Sequence, residues 1–321
     1  MHFNSASERD FAFAMELLRA GFNKEEAKEG IRQLRRKHGD PKEKAERADY
    51  LEQTVSKASG RINERVQHDR RQPSLRFSST DIFENVKETA WLVNDLIPKA
   101  SIVFLVGDPK TGKSYFALEM ALATALGRSS AGRFRTRMEK VLFLELEDGI
   151  QIMAPRYHGL INGYGGIQPT SEEFRIYMGH EMKFDQESSW NELCKQCDEF
   201  RPGLVVVDTL ARCHSKDEIS AREMTLVLDK LNQLRHLYGC AILVVHHFNK
   251  TMYDRTHFNR RTLRGSSTIE AAAEVIIRAQ RNELGDAVDC IVSSKVSREI
   301  GFSYRLIENT VNGQPVAKIV A

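Results

Sequence analysis

Apolar positions along the chain change their period twice. Between Ser7 and Ala58 they recur at helical spacing: Phe11, Met15 and Leu18, then Ala27, Ile31 and Leu34, then Tyr50, Leu51, Val55 and Ala58. Ser7-x-x-Asp10 and Asn23-x-x-Glu26 read as helix caps, Gly21 and Gly39 with Pro41 as stops, and a third helix is expected over about 42–58. Residues 59–80 lose the periodicity, are polar and carry Pro73 between basic residues, so they read as a linker, helical as far as about Arg71. Beyond it, near-continuous apolar runs (Ser101–Val106, Lys140–Leu146, Leu204–Asp208, Ala241–His246) alternate with helical segments at 114–126, about 188–200 and 221–237. Strands of that kind, separated by amphipathic helices, predict a parallel sheet covered on both faces. After Glu283 the runs shorten to 287–294, 302–307 and 316–320, and Asn312-Gly313 is a turn signal, so an antiparallel C-terminal extension is expected. The predicted organisation is a small helical bundle at 1–59, a linker at 60–80 and an α/β domain at 81–321.

Composition changes this picture little. The chain has 321 residues, 41% hydrophobic and 28% charged, with a net charge of +3, so global charge argues neither for nor against nucleic acid and local clusters must decide. No apolar run approaches the ~18 residues that span a bilayer, and Met1-His2-Phe3-Asn4 begins no signal peptide, so a cytoplasmic protein with no membrane partner is expected. The five cysteines are odd in number and scattered, which argues against a disulfide framework. Cys194-x-x-Cys197, with Cys213-His214, invites a metal reading. Trp190, Leu193, Cys194, Cys197 and Phe200 share one helical face, however, which favours a core role. The basic run Arg32, Arg35, Arg36 and Lys37 reads as a solvated helix face, with nucleic-acid contact as the alternative.

The chemistry-bearing stretch is Val103–Ser114. A β-branched run stops at Gly107, and Gly107-Asp108-Pro109-Lys110-Thr111-Gly112-Lys113-Ser114 leads into a helical segment: strand, G-x-x-x-x-G-K-S, helix. A polyphosphate needs converging backbone N–H donors, which the two glycines allow, and the helix start adds its own unpaired N–H groups and positive dipole end. Lys113 is a mobile cation for the terminal phosphates and the Ser114 hydroxyl a Mg²⁺ ligand. The expected cofactors are therefore ATP and Mg²⁺.

Ligands of open α/β sheets bind at the carboxyl ends of the strands, so the informative residues stand where the apolar runs break. Leu204–Val207 ends at Asp208, a Mg²⁺ partner for Ser114. Val141–Leu146 breaks into Glu145, Glu147 and Asp148. Strand alternation would put Glu145 and Glu147 on one face and Asp148 at the mouth, where a carboxylate could deprotonate the attacking water. Asp148 is counted with Ser114 and Asp208 as a candidate metal ligand. Ala241–Val245 runs into His246-His247, an imidazole pair placed to sense a γ phosphate. Residues 248–267 hold Lys250, Arg255, Arg260, Arg261 and Arg264 with Tyr253 and Phe258 interleaved, the cation-plus-aromatic mixture that single-stranded nucleic acid asks for.

Together these motifs resemble the RecA-like ATPases, and among them the hexameric branch typified by plasmid replicative helicases. The matching stretches are Trp91–Val93, G-D-P-K-T-G-K-S, L-E-L-E-D-G at 144–149, V-V-V-D-T at 205–209, V-V-H-H-F-N-K at 244–250 and R-G-S-S at 264–267. The resemblance implies Glu147 as the catalytic base, His247 as the γ-phosphate sensor and DNA-binding loops at 211–220 and 248–263. Lys295-Val296-Ser297-Arg298 resembles the helicase element whose Lys and Arg reach the nucleotide of the next subunit, although its spacing is one residue longer. Residues 7–21 and 50–55 resemble the helical domain that follows a primase-polymerase domain in some replication proteins. That implies a bundle that recruits a primase or initiator, or stabilises a ring, and no priming activity is predicted.

The reading that follows is a ring-forming, single-stranded-DNA-translocating ATPase, the replicative helicase of a plasmid, phage or mobile element. A RecA-fold DNA-binding ATPase that loads or regulates without unwinding is the alternative, and a small-molecule kinase on the same loop is a third.

Overall fold

A computed structural model describes residues 5–19, 22–38, 47–70, 88–179, 181–218, 220–247 and 267–321. The chain forms two compact units, Met1–Val86 and Lys87–Ala321.

The first unit holds helices α1 (Ala6–Arg19), α2 (Lys24–His38) and α3 (Ala48–Arg70) around a core of Ala14, Ala27, Ile31, Leu51, Val55 and Ala58. The Asn23–Glu26 cap is reciprocal: Glu26 N–H donates to Asn23 Oδ1 at 3.0 Å and Asn23 N–H to Glu26 Oε2 at 2.7 Å. At α1 the cap is Ser5, not Ser7, since Glu8 N–H donates to Ser5 Oγ at 3.2 Å. Asp10 has a different task. Its buried carboxylate accepts from Arg35 Nε at 2.6 Å and from the Tyr50 hydroxyl at 2.8 Å. Arg35 therefore leaves the basic run: it stands four residues after Ile31 on the inward face and is consumed by a core ion pair. Arg32 pairs with Glu29, while Arg36 and Lys37 are exposed. Helix α3 starts later than expected and takes over the first part of the expected linker, whose remainder lies outside the described residues.

In the second unit, a short antiparallel pair β1 (Trp91–Val93) and β2 (Ile97–Pro98) precedes the main sheet. In chain order there follow β3 (Ile102–Gly107), α4 (Lys113–Leu126), β4 (Val141–Glu145), α5 (Ile150–Gly163), β5 (Phe174–Met178), α6 (Glu187–Phe200) and β6 (Leu204–Asp208). Then come α7 (Ala221–Tyr238), β7 (Ala241–His247), α8 (Ser267–Ala272), β8 (Val275–Arg281), β9 (Val288–Ser294), β10 (Ile300–Val311) and β11 (Gln314–Val320). The sheet order is β11-β10-β9-β8-β3-β7-β6-β4-β5; the pairs from β8 to β5 are parallel and those from β8 to β11 antiparallel. This is a mostly parallel sheet flanked by helices, with an antiparallel C-terminal extension, as expected.

Alternation along each parallel strand builds two cores. Val103, Leu105, Val141, Phe143, Leu243 and Val245 pack with α4, α5 and the C-terminal strands. Ile102, Phe104, Val106, Leu142, Leu144 and Val244 pack under α6 and α7. Among the described residues, β1, β2, α5, β5, α8 and β8 were not expected. Pro155 lies inside α5 and Gly159 and Gly163 interrupt its pattern; β5 is a half-buried edge strand; β8 follows the short helix α8. The two α5 glycines have a packing reason: a Cβ on Gly163 would stand 2.1 Å from the Ala317 carbonyl oxygen, so β11 lies directly on the helix. Asn312 and Gly313 both take positive φ, 51° and 75°, and close the β10–β11 hairpin as expected. Cys197, Cys213, Cys240 and Cys290 are buried and unbridged, and among the described residues no group of His, Cys, Asp and Glu could hold a metal by itself. Among the described residues no helix is long and apolar enough to cross a membrane.

The Asp10–Arg35 pair yields a stability prediction. Asp10→Ala strands a buried guanidinium, a loss on the order of 3–5 kcal/mol, whereas exposed Lys37→Ala stays within about 0.5 kcal/mol. Circular-dichroism unfolding in urea should separate the two variants by midpoint.

Candidate nucleotide-binding and catalytic site

The loop 107–114 closes β3 and starts α4. Gly107 has no room for a side chain, because a Cβ would stand 2.4 Å from the Ala279 carbonyl oxygen of β8, so two backbones meet here. Lys110 and Gly112 take positive φ, 64° and 85°. Thr111 Oγ1 donates to the Asp108 carbonyl at 2.9 Å and locks the turn. Gly112 is the N-cap of α4 and offers no side chain, so the first N–H groups of the helix are left for a ligand. The loop is braced by two residues that the sequence did not single out. Arg281, at the end of β8, donates from Nε to the Lys110 carbonyl at 3.1 Å, and the Tyr304 hydroxyl of β10 lies 3.5 Å from the Thr111 carbonyl.

Lys113 is buried and donates from Nζ to the Asp108 carbonyl at 2.7 Å. Burial pushes its ammonium down to about 8, against the pull of the Asp208, Asp108 and Glu147 carboxylates. The ion thus lacks a full counter-charge, which suits it to an incoming phosphate.

Asp208 ends β6 two strands from the loop, level with Glu145 on β4 and Val245 on β7. It is 1% exposed, and neither carboxylate oxygen completes a hydrogen bond of ordinary geometry. Burial pushes it up to about 7, with Glu145 adding to the rise; the Ser114 hydroxyl and Lys113 oppose it. A buried, unsatisfied carboxylate beside a hydroxyl is a donor set that fits a hard divalent cation, with phosphate and water as the remaining ligands.

The acid cluster differs from strand alternation. Strand β4 stops at Glu145, and the chain turns at once. Glu145 is buried and accepts from the N–H groups of Glu147 at 3.1 Å and Asp148 at 2.8 Å, so it holds the turn and is spent structurally. Glu147 is exposed, and its charge acts on both Lys113 and Asp208. Asp148, expected among the metal ligands, is paired instead with Arg156 of α5 at 2.5 Å. That guanidinium lies 5.7 Å from the ring centroid of Tyr115, the residue after Ser114.

Strand β7 runs through the histidine pair: His246 stands level with Val106 and is fully buried, and His247 is level with Gly107 and half-buried. Thr209, next to Asp208, is also buried with its hydroxyl lacking a hydrogen-bond partner among the described residues, a second polar group that the sequence reading passed over.

The remaining candidates stand elsewhere. Lys250, Arg255, Arg260, Arg261 and Arg264 lie outside the described residues. In the segment 211–220, Leu210–Arg212 is a 3₁₀ turn, and the chain is tied to 183–185 by Lys183 Nζ donating to the Arg212 carbonyl and by Ser215 N–H donating to Asp185 at 3.1 Å. Lys295 and Arg298 sit in the β9–β10 turn. Because β9 runs against β8, Ser294 is level with Val275 at the start of the parallel strands. The turn is thus about 15 Å or more from its own phosphate loop, a strand's length away. Lys295 Nζ donates to the Ala271 carbonyl, whereas Arg298 is exposed and its guanidinium has no partner among the described residues.

Residues 69–252 match the family model described as AAA domain, and residues 4–58 match the RepB DNA-primase C-terminal helical domain. No curated protein matches the chain. Among solved structures it is similar to a KaiC-like protein from the hyperthermophilic archaeon Pyrococcus horikoshii, at 16% identity over 72% of this chain and 97% of that one, with a TM-score of 0.43.

The Asp208 environment predicts a pH signature. A carboxyl raised from 3.8 to about 7 is held neutral in the folded chain while the unfolded one ionises, so its contribution to stability is lost as pH rises from about 4 to 7. Asp208→Asn, which cannot ionise, should therefore melt higher than the parent, by a gap that opens over that window and levels off above it. The check is thermal unfolding of the nucleotide-free protein at a series of pH values.

Proposed function

This chain belongs to the AAA domain family, and we propose that it hydrolyses ATP to move along single-stranded DNA as a ring-forming replicative helicase of a plasmid, phage or mobile element. One observation carries the reading. An undercompensated lysine, a buried unsatisfied carboxylate and an exposed glutamate converge at the carboxyl ends of β3, β6 and β4.

In this reading the backbone of Gly107–Ser114 cradles the β and γ phosphates, and Lys113 exchanges the Asp108 carbonyl for the terminal phosphate. Ser114 and Asp208 would hold Mg²⁺, which when bound neutralises charge developing on the phosphates. Asp208 must be ionised to do so, and the cation supplies the charge that lowers its pKa. Glu147 orients and deprotonates the attacking water, being the acid of its cluster left exposed. Glu145 holds the turn that carries it. His247 hydrogen-bonds toward the γ phosphate from the strand next to the loop.

Arg298 completes the neighbouring subunit's site. The support is its distance from its own loop, together with a guanidinium that has no partner among the described residues; a rigid, always-charged fork suits the transition-state phosphoryl group. Lys295 is the weaker of the pair because its ammonium already serves the α8 carboxyl end. The 248–264 cations hold the translocated strand, and the N-terminal bundle serves a primase or initiator.

Lys113→Ala should abolish hydrolysis, and Glu147→Gln should bind nucleotide yet turn over very slowly; steady-state ATPase with and without single-stranded DNA is the measurement. Strand displacement then distinguishes a helicase from an ATPase that binds DNA without unwinding it. Normal turnover by Lys113→Ala would end the reading.

Arg298→Ala should lose about 10³-fold in turnover while binding nucleotide normally. Mixed with inactive Lys113→Ala subunits it should regain part of the activity, because some intact loops then face intact fingers. Mixed oligomers that stay inactive would remove the trans finger.

A further inference from the structure

The connector between α4 and β4 carries an unusual concentration of charge. Residues 127–140 hold Arg128, Arg133, Arg135, Arg137 and Lys140 against a single acid, Glu139, a net +4 where the whole chain sums to +3. All five cations are exposed. The connector is nonetheless well anchored. Asn94 N–H donates to the Arg135 carbonyl at 2.9 Å and Arg137 N–H to the Leu92 carbonyl at 2.8 Å, which lays the segment antiparallel beside β1. Thr136 Oγ1 donates to the Arg128 carbonyl at 2.7 Å and ties the two ends of the connector together. Phe134 is buried against Phe302, and the Arg133 guanidinium lies over both rings, 5.2 and 6.0 Å from their centroids. The side chains of Arg128 and Arg135 have no partner among the described residues. Arg137 and Lys99 share Glu139, at 3.6 and 3.3 Å.

Lys140 pairs with Glu172 at 3.8 Å, which leaves Arg128 and Arg135 as exposed, unpaired cations on a fixed backbone, and such cations match a regularly spaced polyanion. We propose that residues 128–137 form a second nucleic-acid contact, which takes the phosphate backbone of a DNA strand without regard to sequence. It stands apart from the phosphate loop: α4, whose 14 residues rise about 21 Å at 1.5 Å each, starts at the loop and ends at the connector. Any strand held here is therefore at the opposite end of the sheet from the Leu210–Arg212 turn that follows β6. The inference rests on the DNA-directed reading above only for its choice of polyanion.

The test is Arg128→Glu with Arg135→Glu in the full-length chain. Affinity for a fluorescent single-stranded oligonucleotide is measured from 50 to 300 mM salt, beside thermal unfolding and basal ATPase. Losing two phosphate contacts should make the log–log salt slope shallower by about 1.4, at roughly 0.7 per phosphate, with unfolding temperature and basal turnover unchanged. A parental slope in the double variant would overturn the proposal. So would equal competition by polyglutamate of matched charge, which would mark the patch as a site for acidic protein. Failure of the helicase reading shows differently: a parent without DNA-stimulated hydrolysis whose salt slope still responds to the double substitution.

Discussion

Charge held out of water at the carboxyl end of a parallel sheet is the constraint on which the α/β unit depends. Lys113 and Asp208 are both buried, and burial pushes each toward its neutral form. Hydrophobic layers on both faces make that burial possible, since six parallel strands bring Gly107, Glu145, Asp208 and His247 to one rim while their apolar stretches fill two cores. A fold optimised only for stability would replace such a pair with apolar residues. In the proposed function that cost would be recovered on binding a polyphosphate and a cation, the polyphosphate compensating Lys113 and the cation compensating Asp208.

The same rim shows a division of labour among carboxylates that are close in sequence. Glu145 spends both its position and its acceptors on the turn, Asp148 is paired with Arg156, and Glu147 is the most exposed of the three. Hydrogen bonding and ion pairing therefore sort three acids into three roles, and they leave one with the freedom that a general base requires. The loop opposite is supported from the C-terminal side of the sheet, by Arg281 from β8 and Tyr304 from β10. The antiparallel extension is thus part of the site's scaffold, and the same reversal of direction carries Arg298 away from it.

Charge is also distributed along the unit. The acids that face the phosphate loop lie at one end of the sheet, and the exposed cations of 128–137 lie at the other, although the net charge of the whole chain is only +3. Local fields of opposite sign at the two ends are more informative about partners than that small sum.

The sequence by itself determined the loop, the alternation of strands and helices and the antiparallel end, because each has a local physical cause: glycine permissiveness, the two hydrophobic periods, and a turn that demands positive φ at Asn312 and Gly313. It also proposed Asp208, an acid that ends a buried apolar run, whereas Glu147 was singled out from Glu145 and Asp148 only by the family resemblance. Tertiary structure decided what depends on partners distant in the chain. Arg35 looked like a solvated cation until Asp10 and Tyr50 were brought to it. Asp148 looked like a metal ligand until α5, masked in the sequence by Pro155 and two glycines, delivered Arg156. Arg281 and Tyr304 carry no local signature at all, because their role is to reach a backbone carbonyl some 170 to 190 residues earlier. Periodicity and motif report what a segment does with its own neighbours; which charges neutralise one another is settled only when the sheet closes.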